Sequence, residues 1–361
     1  MITYEWSRKE SFIFFLVAVL VYVYPLTLAD YFYVEDSFRA AYGYASWRAE
    51  GRFLIDGFYH FLSLSNGAPD SSPLGLLVAC VVMATALEKL AFHYFCHVNV
   101  FSSMVVLPVF FSPLFLSDLA YKYDGPVMTV GLAMMVFAIT FKSERKWLEW
   151  WGSTLLVGSA LCIYQPLINA FFGLCCIELY TAIKDKKATR EWVMLGLEKA
   201  MQAGVASLFY LCAIVPFMGT ERQQLLALDK DWPVVMFQRL ENAEERIRPL
   251  YTGDSAWFFG VMAILFGMGY AWAGFSALRE RPGWVSKVLV SLAYISIVPL
   301  LIMSVPGIML VFFYENNDAR AMLGSGPLLV FIVLVIYQWL NAVQRKLTVF
   351  VVLPIILFLS I

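Results

Sequence analysis

The chain has 361 residues, 61% of them hydrophobic and 15% charged, with a formal net charge of −1 and a mean hydropathy of +0.71. Soluble globular domains keep their apolar share nearer to half. The composition therefore excludes a water-soluble enzyme and points to an all-α polytopic membrane protein in one integral-membrane domain, with no nucleic-acid partner expected.

Apolar windows near the roughly 20-residue spanning length fall at 12–29, 73–94, 98–117, 126–141 and 151–164, then at 166–183, 193–217, 257–278, 288–313, 327–343 and 347–361. They predict roughly eleven transmembrane helices. The fifth and sixth windows are separated only by Gln165 and Pro166, so they read as two spans or as one kinked helix with a re-entrant piece. Charge bias supports two. With a cytoplasmic N-terminus and every window crossing, Arg8, Lys9, Lys142, Lys146, Lys184, Lys187, Arg279 and Lys346 all fall in cytoplasmic connections, as short basic loops should. Trp147, Trp150 and Trp151 then form an aromatic belt on that face. Arg8 and Lys9 before an apolar run resemble a signal peptide, but no small-residue cleavage site is evident and a retained first helix is expected. The chain ends at Ile361 inside an apolar window, so a further C-terminal part is expected.

The same topology gathers the acids on the outer face, where they outnumber the basic residues. Those outer cations are almost all arginine: Arg39, Arg48, Arg52, Arg222, Arg239, Arg246, Arg248 and Arg320, with Lys122 and Lys230 as exceptions. Arginine's planar fork suits bidentate phosphate binding and keeps its charge at low dielectric. The six cysteines lie within or at the ends of apolar windows, so no disulfide framework is implied. His93, Cys96 and His97 have metal-like spacing but sit at a helix end on the cytoplasmic side, and an ordinary buried thiol is the expected reading. There is no Walker A loop, no glycine-rich dinucleotide fingerprint and no HExxH motif. The longest non-spanning stretch is 218–256, so substrate is expected to arrive through the membrane or from the outer compartment.

Three outer segments carry candidate chemistry. In the first acidic loop, 30–72, Glu35 and Asp36 are adjacent and project differently, which predicts one catalytic and one supporting carboxylate, with Arg39 and Arg52 as anion ligands. The stretch 53–64 is too short to span and predicts an interfacial helix. In 112–128, Asp118 and Asp124 flank Tyr121 and Tyr123; tyrosine beside carboxylate suits a sugar, although interfacial tyrosine is also belt material. In the long loop 218–256, apolar positions within 234–249 predict an amphipathic helix. Its Arg239 and Arg246 can meet a lipid phosphate or pair with the glutamates at helical spacing. Arg320 has few local partners and is the preferred phosphate ligand.

The first loop, with Tyr33, Glu35, Asp36, Arg39, Trp47 and Gly51-Arg52, resembles that of the serotype-converting type II Gtr family of O-antigen glucosyltransferases. Ser112-Pro113, Tyr121-Lys122-Tyr123-Asp124, Pro126 and Met128 resemble that family's second outer loop, and Tyr164-Gln165 a following Tyr-Gln pair. Glu35 departs from the more usual pair of aspartates. The likeness covers the first half well and the second half mainly by topology.

The resemblance implies a GT-C-type glycosyltransferase of the bacterial inner membrane, with its active site facing the periplasm. Its donor would be a polyprenyl-phosphate sugar and its acceptor a lipid-linked O-antigen saccharide. Asp36 or Glu35 would be the general base, or Asp124 a second catalytic carboxylate. Arg320 and the loop arginines would hold phosphate, while Asp118, Tyr123, Tyr164 and Gln165 contact substrate. No cofactor is required on this reading, though the first acidic loop has the composition for a divalent metal. The competing class is a transporter or flippase of an anionic lipid-linked sugar, but no internal repeat is evident and the ionisable residues collect at one face rather than mid-membrane.

Overall fold

The computed structural model describes residues 4–219, 224–226, 231–312, 318–340 and 344–358. Arg222 and Lys230 lie outside them. Among the described residues every regular element is helical, with one isolated antiparallel bridge between Leu225 and Phe312. In chain order the α-helices are α1 (Arg8–Ala29), α2 (Asp36–Tyr42), α3 (Phe53–Ser63), α4 (Leu74–Tyr94) and α5 (Val100–Val106). There follow α6 (Pro113–Leu119), α7 (Asp124–Thr140), α8 (Lys146–Leu161), α9 (Leu167–Lys184) and α10 (Thr189–Ala213). The last five are α11 (Trp232–Tyr251), α12 (Ala256–Arg279), α13 (Trp284–Ser304), α14 (Ser325–Trp339) and α15 (Thr348–Phe358).

Local chemistry accounts for where these helices start. Ser7 caps α1 through a reciprocal pair with Glu10, each accepting from the other's backbone N–H, the capping-box arrangement. One stripe of α1, Phe15, Val19 and Val23, is buried, while Ile13, Val17, Val21 and Leu28 face outward. An outward apolar surface of this kind on a long helix is what lipid contact requires. At the base of the α1–α4 pair, the Arg8 guanidinium lies 2.9 Å from the Glu88 carboxylate.

Among the described residues six helices are long and apolar enough to cross a membrane, α1, α4, α9, α10, α12 and α13, or seven if the bent pair of α5 and α6 is one span, against the roughly eleven expected. The differences have physical causes. The 98–117 window is broken: α5, a 3-10 turn at Leu107–Val109 and α6 are bent by 63°. Pro108 and Pro113 supply no backbone N–H and disfavour helix in the residue before them, so the run cannot continue straight. α7 and α14 are apolar but only 17 and 15 residues long, roughly 26 and 23 Å at 1.5 Å per residue. Both are largely buried among other helices, so neither needs the length of a lipid-facing span. The 151–164 window begins within α8, whose first turns carry Lys146 and Glu149, and α15 is 11 residues. Windows five and six are separate helices, α8 and α9, packed side by side with Tyr164 and Gln165 in the turn between them. The expected short helix after Arg52 is α3, and the amphipathic run of the long loop is α11.

The centre of the bundle is α4 against α7, flanked by α1, α8 and α9; α12, α13 and α14 form the second half against α9. Asn169, fully buried in α9, joins the halves. Its Nδ2 donates to the carbonyls of Pro306 (3.1 Å) and Ala321 (3.2 Å), and its Oδ1 accepts from Ile308 N–H at 2.8 Å. Gly307 lies between two of these contacts at φ +44°, where a Cβ would overlap the Asn169 amide.

Replacing Asn169 by Leu keeps the branched outline of the side chain but puts bulkier methyl groups in place of the amide and strands these buried backbone groups, each costing about 1–3 kcal/mol. We expect a lower unfolding midpoint in detergent; an unchanged midpoint would show that the clamp carries no stability.

Candidate active site

The site forms where the N-terminus of α7 meets segments from four other parts of the chain. Asp124 is the first residue of α7 and is 3% exposed. Its Oδ1 accepts from the Trp47 indole N–H at 2.7 Å, and its Oδ2 lies 3.6 Å from the Arg52 guanidinium. That second separation is an ion pair but too long for a hydrogen bond. Asp118 comes from α6, which the bend after α5 sets against the start of α7. The approach depends on Gly125: a Cβ there would lie 3.0 Å from the Asp118 carbonyl oxygen and 3.2 Å from Leu119 Cα.

Arg52 also pairs with Glu50 at 3.2 Å and lies over the Tyr164 ring, 4.8 Å from its centroid. Arg320, in the 3-10 turn Ala319–Ala321, stacks 4.9 Å from the Tyr121 ring. Burial works against its charge, but Tyr164, Tyr121, Asp124 and Asp118 together outweigh that and hold it protonated. Burial pushes the Tyr164 phenol upward, against the pull of Arg320. Five buried polar atoms in this cluster have no hydrogen-bond partner among the described residues: Arg52 Nε, Asp118 Oδ2, Asp124 Oδ2, Tyr164 OH and Arg320 Nε. Buried polar atoms are normally satisfied, so a concentration of unsatisfied donors and acceptors of both charges marks a place for a polar ligand.

Asp36 occupies a different position from Asp124. It is 1% exposed, and its carboxylate accepts backbone N–H bonds from Lys122 (2.7 Å), Tyr33 (3.3 Å) and Tyr123 (3.3 Å). Burial raises its pKa, opposed by these N–H groups and reinforced by Asp124. Both oxygens are thus engaged in holding the Lys122–Tyr123 backbone to the start of α2. Glu35 is exposed at the rim, within electrostatic reach of Tyr121. Arg39 lies 4.0 Å over the Trp47 ring and so buttresses the indole that reaches Asp124. Tyr123 is buried with its hydroxyl unpaired, while its carbonyl accepts from Tyr59 OH at 2.7 Å. Gln165 donates to the Glu50 carbonyl at 3.0 Å and to Tyr210 OH, which anchors the Trp47–Glu50 turn.

The other two expected anion ligands are placed in support. Arg239 is buried, with its guanidinium donating to the carbonyls of Met309, Leu310 and Phe312; it docks α11 on the segment before Arg320. Arg246 lies 3.9 Å from Asp318, two residues from Arg320. The spacing-based group at the other end is dispersed: His93 pairs with Glu178 at 2.8 Å and His97 with Glu5 at 2.9 Å. Among the described residues no three His, Cys, Asp or Glu side chains come together as a metal-binding group. Trp47 enters the sequence reading only as part of the first-loop motif, and Tyr59 and Asn169 not at all; an aromatic in a short interfacial helix and an amide in an apolar window give no local signal of such partners.

A large apolar groove of about 680 Å³ opens beside the cluster, lined by α11, α12, α13 and α14 through residues such as Leu240, Ala243, Met262, Leu328 and Ile332. Leu114 of α6 also lines it. Leu114 and Asp118 are four apart, on one face of α6, so this short helix runs from the groove to the charged cluster.

The close approach at Gly125 predicts opposite outcomes for two glycine substitutions. Gly267→Ala, in open space within α12, should stabilise by about 0.5–1 kcal/mol through helix propensity. Gly125→Ala should destabilise, because the added carbon meets backbone rather than a movable side chain. Thermal melts of both variants in detergent check this; equal gains would mean that α6 yields freely.

A family model described as Glucosyl transferase GtrII matches residues 24–331. The chain is also similar to an uncharacterized 55.3 kDa protein in the gtrB 5′ region of Salmonella phage P22, 27% identical over 166 residues. That alignment takes in 46% of this chain and 34% of the phage protein, about a third of its length. No solved structure matches. With most of its length covered by the family model, this helical membrane protein belongs to the GtrII glucosyl transferase family.

Proposed function

We propose that the protein transfers glucose from a polyprenyl-phosphate glucose donor to a lipid-linked O-antigen saccharide, at the periplasmic face of the bacterial inner membrane. The observation that carries this reading is the set of unsatisfied buried atoms of Arg52, Asp118, Asp124, Tyr164 and Arg320 beside a long apolar groove. A prenyl-linked sugar phosphate has that two-part character: an isoprenoid tail for the groove, and an anionic, hydroxyl-rich head for the cluster.

The chemistry needs a base for the acceptor hydroxyl and positive charge for the leaving phosphate. Asp124 is the favoured base, because its Oδ2 accepts no hydrogen bond where both oxygens of Asp36 accept backbone N–H groups. It takes the acceptor proton as the acceptor oxygen bonds to the anomeric carbon. The bond from that carbon to the phosphate oxygen breaks, and the phosphate leaves with the electron pair. Attack opposite the phosphate inverts the anomeric centre. Arg320 and Arg52 stabilise the departing charge, and the unpaired oxygen of Asp118 accepts from a sugar hydroxyl. Asp36 and Arg39 position the acid through Tyr123 and Trp47, and Glu35 stays at the rim. The arginines carry the charge neutralisation, so the proposed reaction requires no metal.

Transfer of radiolabel from polyprenyl-phosphate glucose to O-antigen in membranes tests the assignment. Asp124→Asn should lower transfer by about 10²–10⁴-fold, the usual contribution of a general base, with Asp36→Asn less affected at equal protein level. A larger loss in Asp36→Asn would return the base to the first loop. Arg320→Ala should cost about 10²–10³-fold, as for removal of an oxyanion donor, and retention of full rate would remove Arg320 from the phosphate site. A full-length chain that transfers nothing while moving the lipid-linked sugar across the bilayer would favour the transporter class.

A further inference from the structure

A second cavity, separate from the groove, lies between α3 and the loop that follows it. It is an open cleft of about 540 Å³ lined by Arg48, Asp56, Tyr59, His60 and Asn66, among others, within the range of roughly 300–1,000 Å³ typical of small-molecule sites. Its polar groups are arranged in complementary fashion. Asp56 Oδ2 accepts from Arg48 Nε at 2.7 Å, while Asp56 Oδ1 is buried without a partner. His60 Nδ1 lies 3.0 Å from the Ser65 carbonyl. A carbonyl only accepts, so Nδ1 carries a proton and donates to Ser65, and Nε2 is the ring nitrogen left for a ligand. Arg48 has further N–H groups to donate, and the Asn66 amide both donates and accepts.

The charges of Arg48 and Asp56 cancel, so nothing here selects an anion. Mixed donors and acceptors without net charge suit the hydroxyls of a neutral sugar, each of which donates and accepts. The cavity is also wired to the charged cluster. Tyr59, one of its walls, stacks on Trp47 with 2° between the ring planes and a centroid separation of 5.3 Å. Trp47 donates to Asp124 Oδ1, and Tyr59 OH donates to the carbonyl of Tyr123, the residue before Asp124.

We propose that this cavity is the subsite for the acceptor saccharide, with Asp56, His60 and Asn66 as its hydroxyl-binding residues. The assignment rests on the transfer reading above and deepens it. An acceptor held here lies on the α3 side of the Tyr59–Trp47 pair that contacts Asp124, while the donor lies on the groove side along α6.

The test separates the subsite from the reaction. The probes are neutral oligosaccharides released by mild acid from O-antigens of several serotypes, added without donor to the full chain purified in detergent and followed by saturation-transfer NMR. Wild-type protein should bind at least one of them, and Asp56→Asn and Asn66→Ala should each weaken binding about tenfold. Asn66 is an exposed loop residue, so its variant guards against a folding failure in Asp56→Asn. In the transfer assay the same variants should raise the acceptor KM about tenfold and leave the donor KM in place. No binding by wild type, or unchanged binding and acceptor KM in both variants, overturns the subsite even if transfer proceeds. Binding that depends on Asp56 and Asn66 without any transfer keeps the subsite and overturns the transfer reading.

Discussion

A buried carboxylate at the head of a helix sets the architecture around the site. Removing Asp124 from water is costly unless its charge is compensated, and three sources compensate it: the N-terminal dipole of α7, the Trp47 indole and the Arg52 guanidinium. Each must be held in turn. Arg39 stacks on Trp47, Tyr59 lies flat against its ring, and Gln165 fixes the carbonyl of Glu50 beside Arg52. The first loop and the turn between α8 and α9 are thereby locked to one atom group, although more than a hundred residues separate Trp47 from Gln165.

Lys122 performs a similar service further out. Its ammonium bridges Asp30 at 2.7 Å and Asp70 at 2.8 Å, and its backbone N–H donates to Asp36. The end of α1 and the approach to α4 are gathered on its side chain, and the start of α2 on its backbone. A flexible point charge is suited to that task at the edge of the site, where two carboxylates approach from different directions. The guanidinium groups of Arg52 and Arg320 lie over tyrosine rings, as the Lys122 ammonium lies over Phe32, but they add a planar fork of several N–H donors that an ammonium does not reproduce.

Much of this was legible in the sequence because it is written in composition and order. Hydropathy identified a helical membrane chain, and the clustering of acids and arginines in particular loops identified the segments that converge: Arg52, Asp118, Tyr164 and Arg320 meet around Asp124. The number of long spans was not legible. A hydropathy window reports apolar side chains without distinguishing lipid from protein as their surroundings, so the buried α7 and α14 read as spans despite their length. Asn169 was invisible for the same reason, a single amide in an apolar run. Arg239 had the right charge in the right loop, but its partners are carbonyls some seventy residues away, and no spacing rule encodes them. From sequence, Asp36 or Glu35 is the expected base and Asp124 a second carboxylate; only the hydrogen bonds show that both oxygens of Asp36 accept backbone N–H groups while Asp124 Oδ2 accepts none.

That spare capacity has an energetic meaning. Completing the hydrogen bonds of Asp118, Asp124, Arg52 and Arg320 within the protein would lower the energy of the empty site, and would remove the reason for a ligand to enter it. Leaving them incomplete raises that energy, and the surrounding helix packing sustains it. The two cavities differ in solvent character: the groove, walled by aliphatic side chains, offers little to a hydroxyl, and the α3 cleft, walled by Arg48, Asp56 and His60, offers little to an apolar chain. Each is tied to the charged cluster through one element, the groove through Leu114 of α6, four residues from Asp118, and the cleft through Tyr59, which stacks on the Trp47 that donates to Asp124.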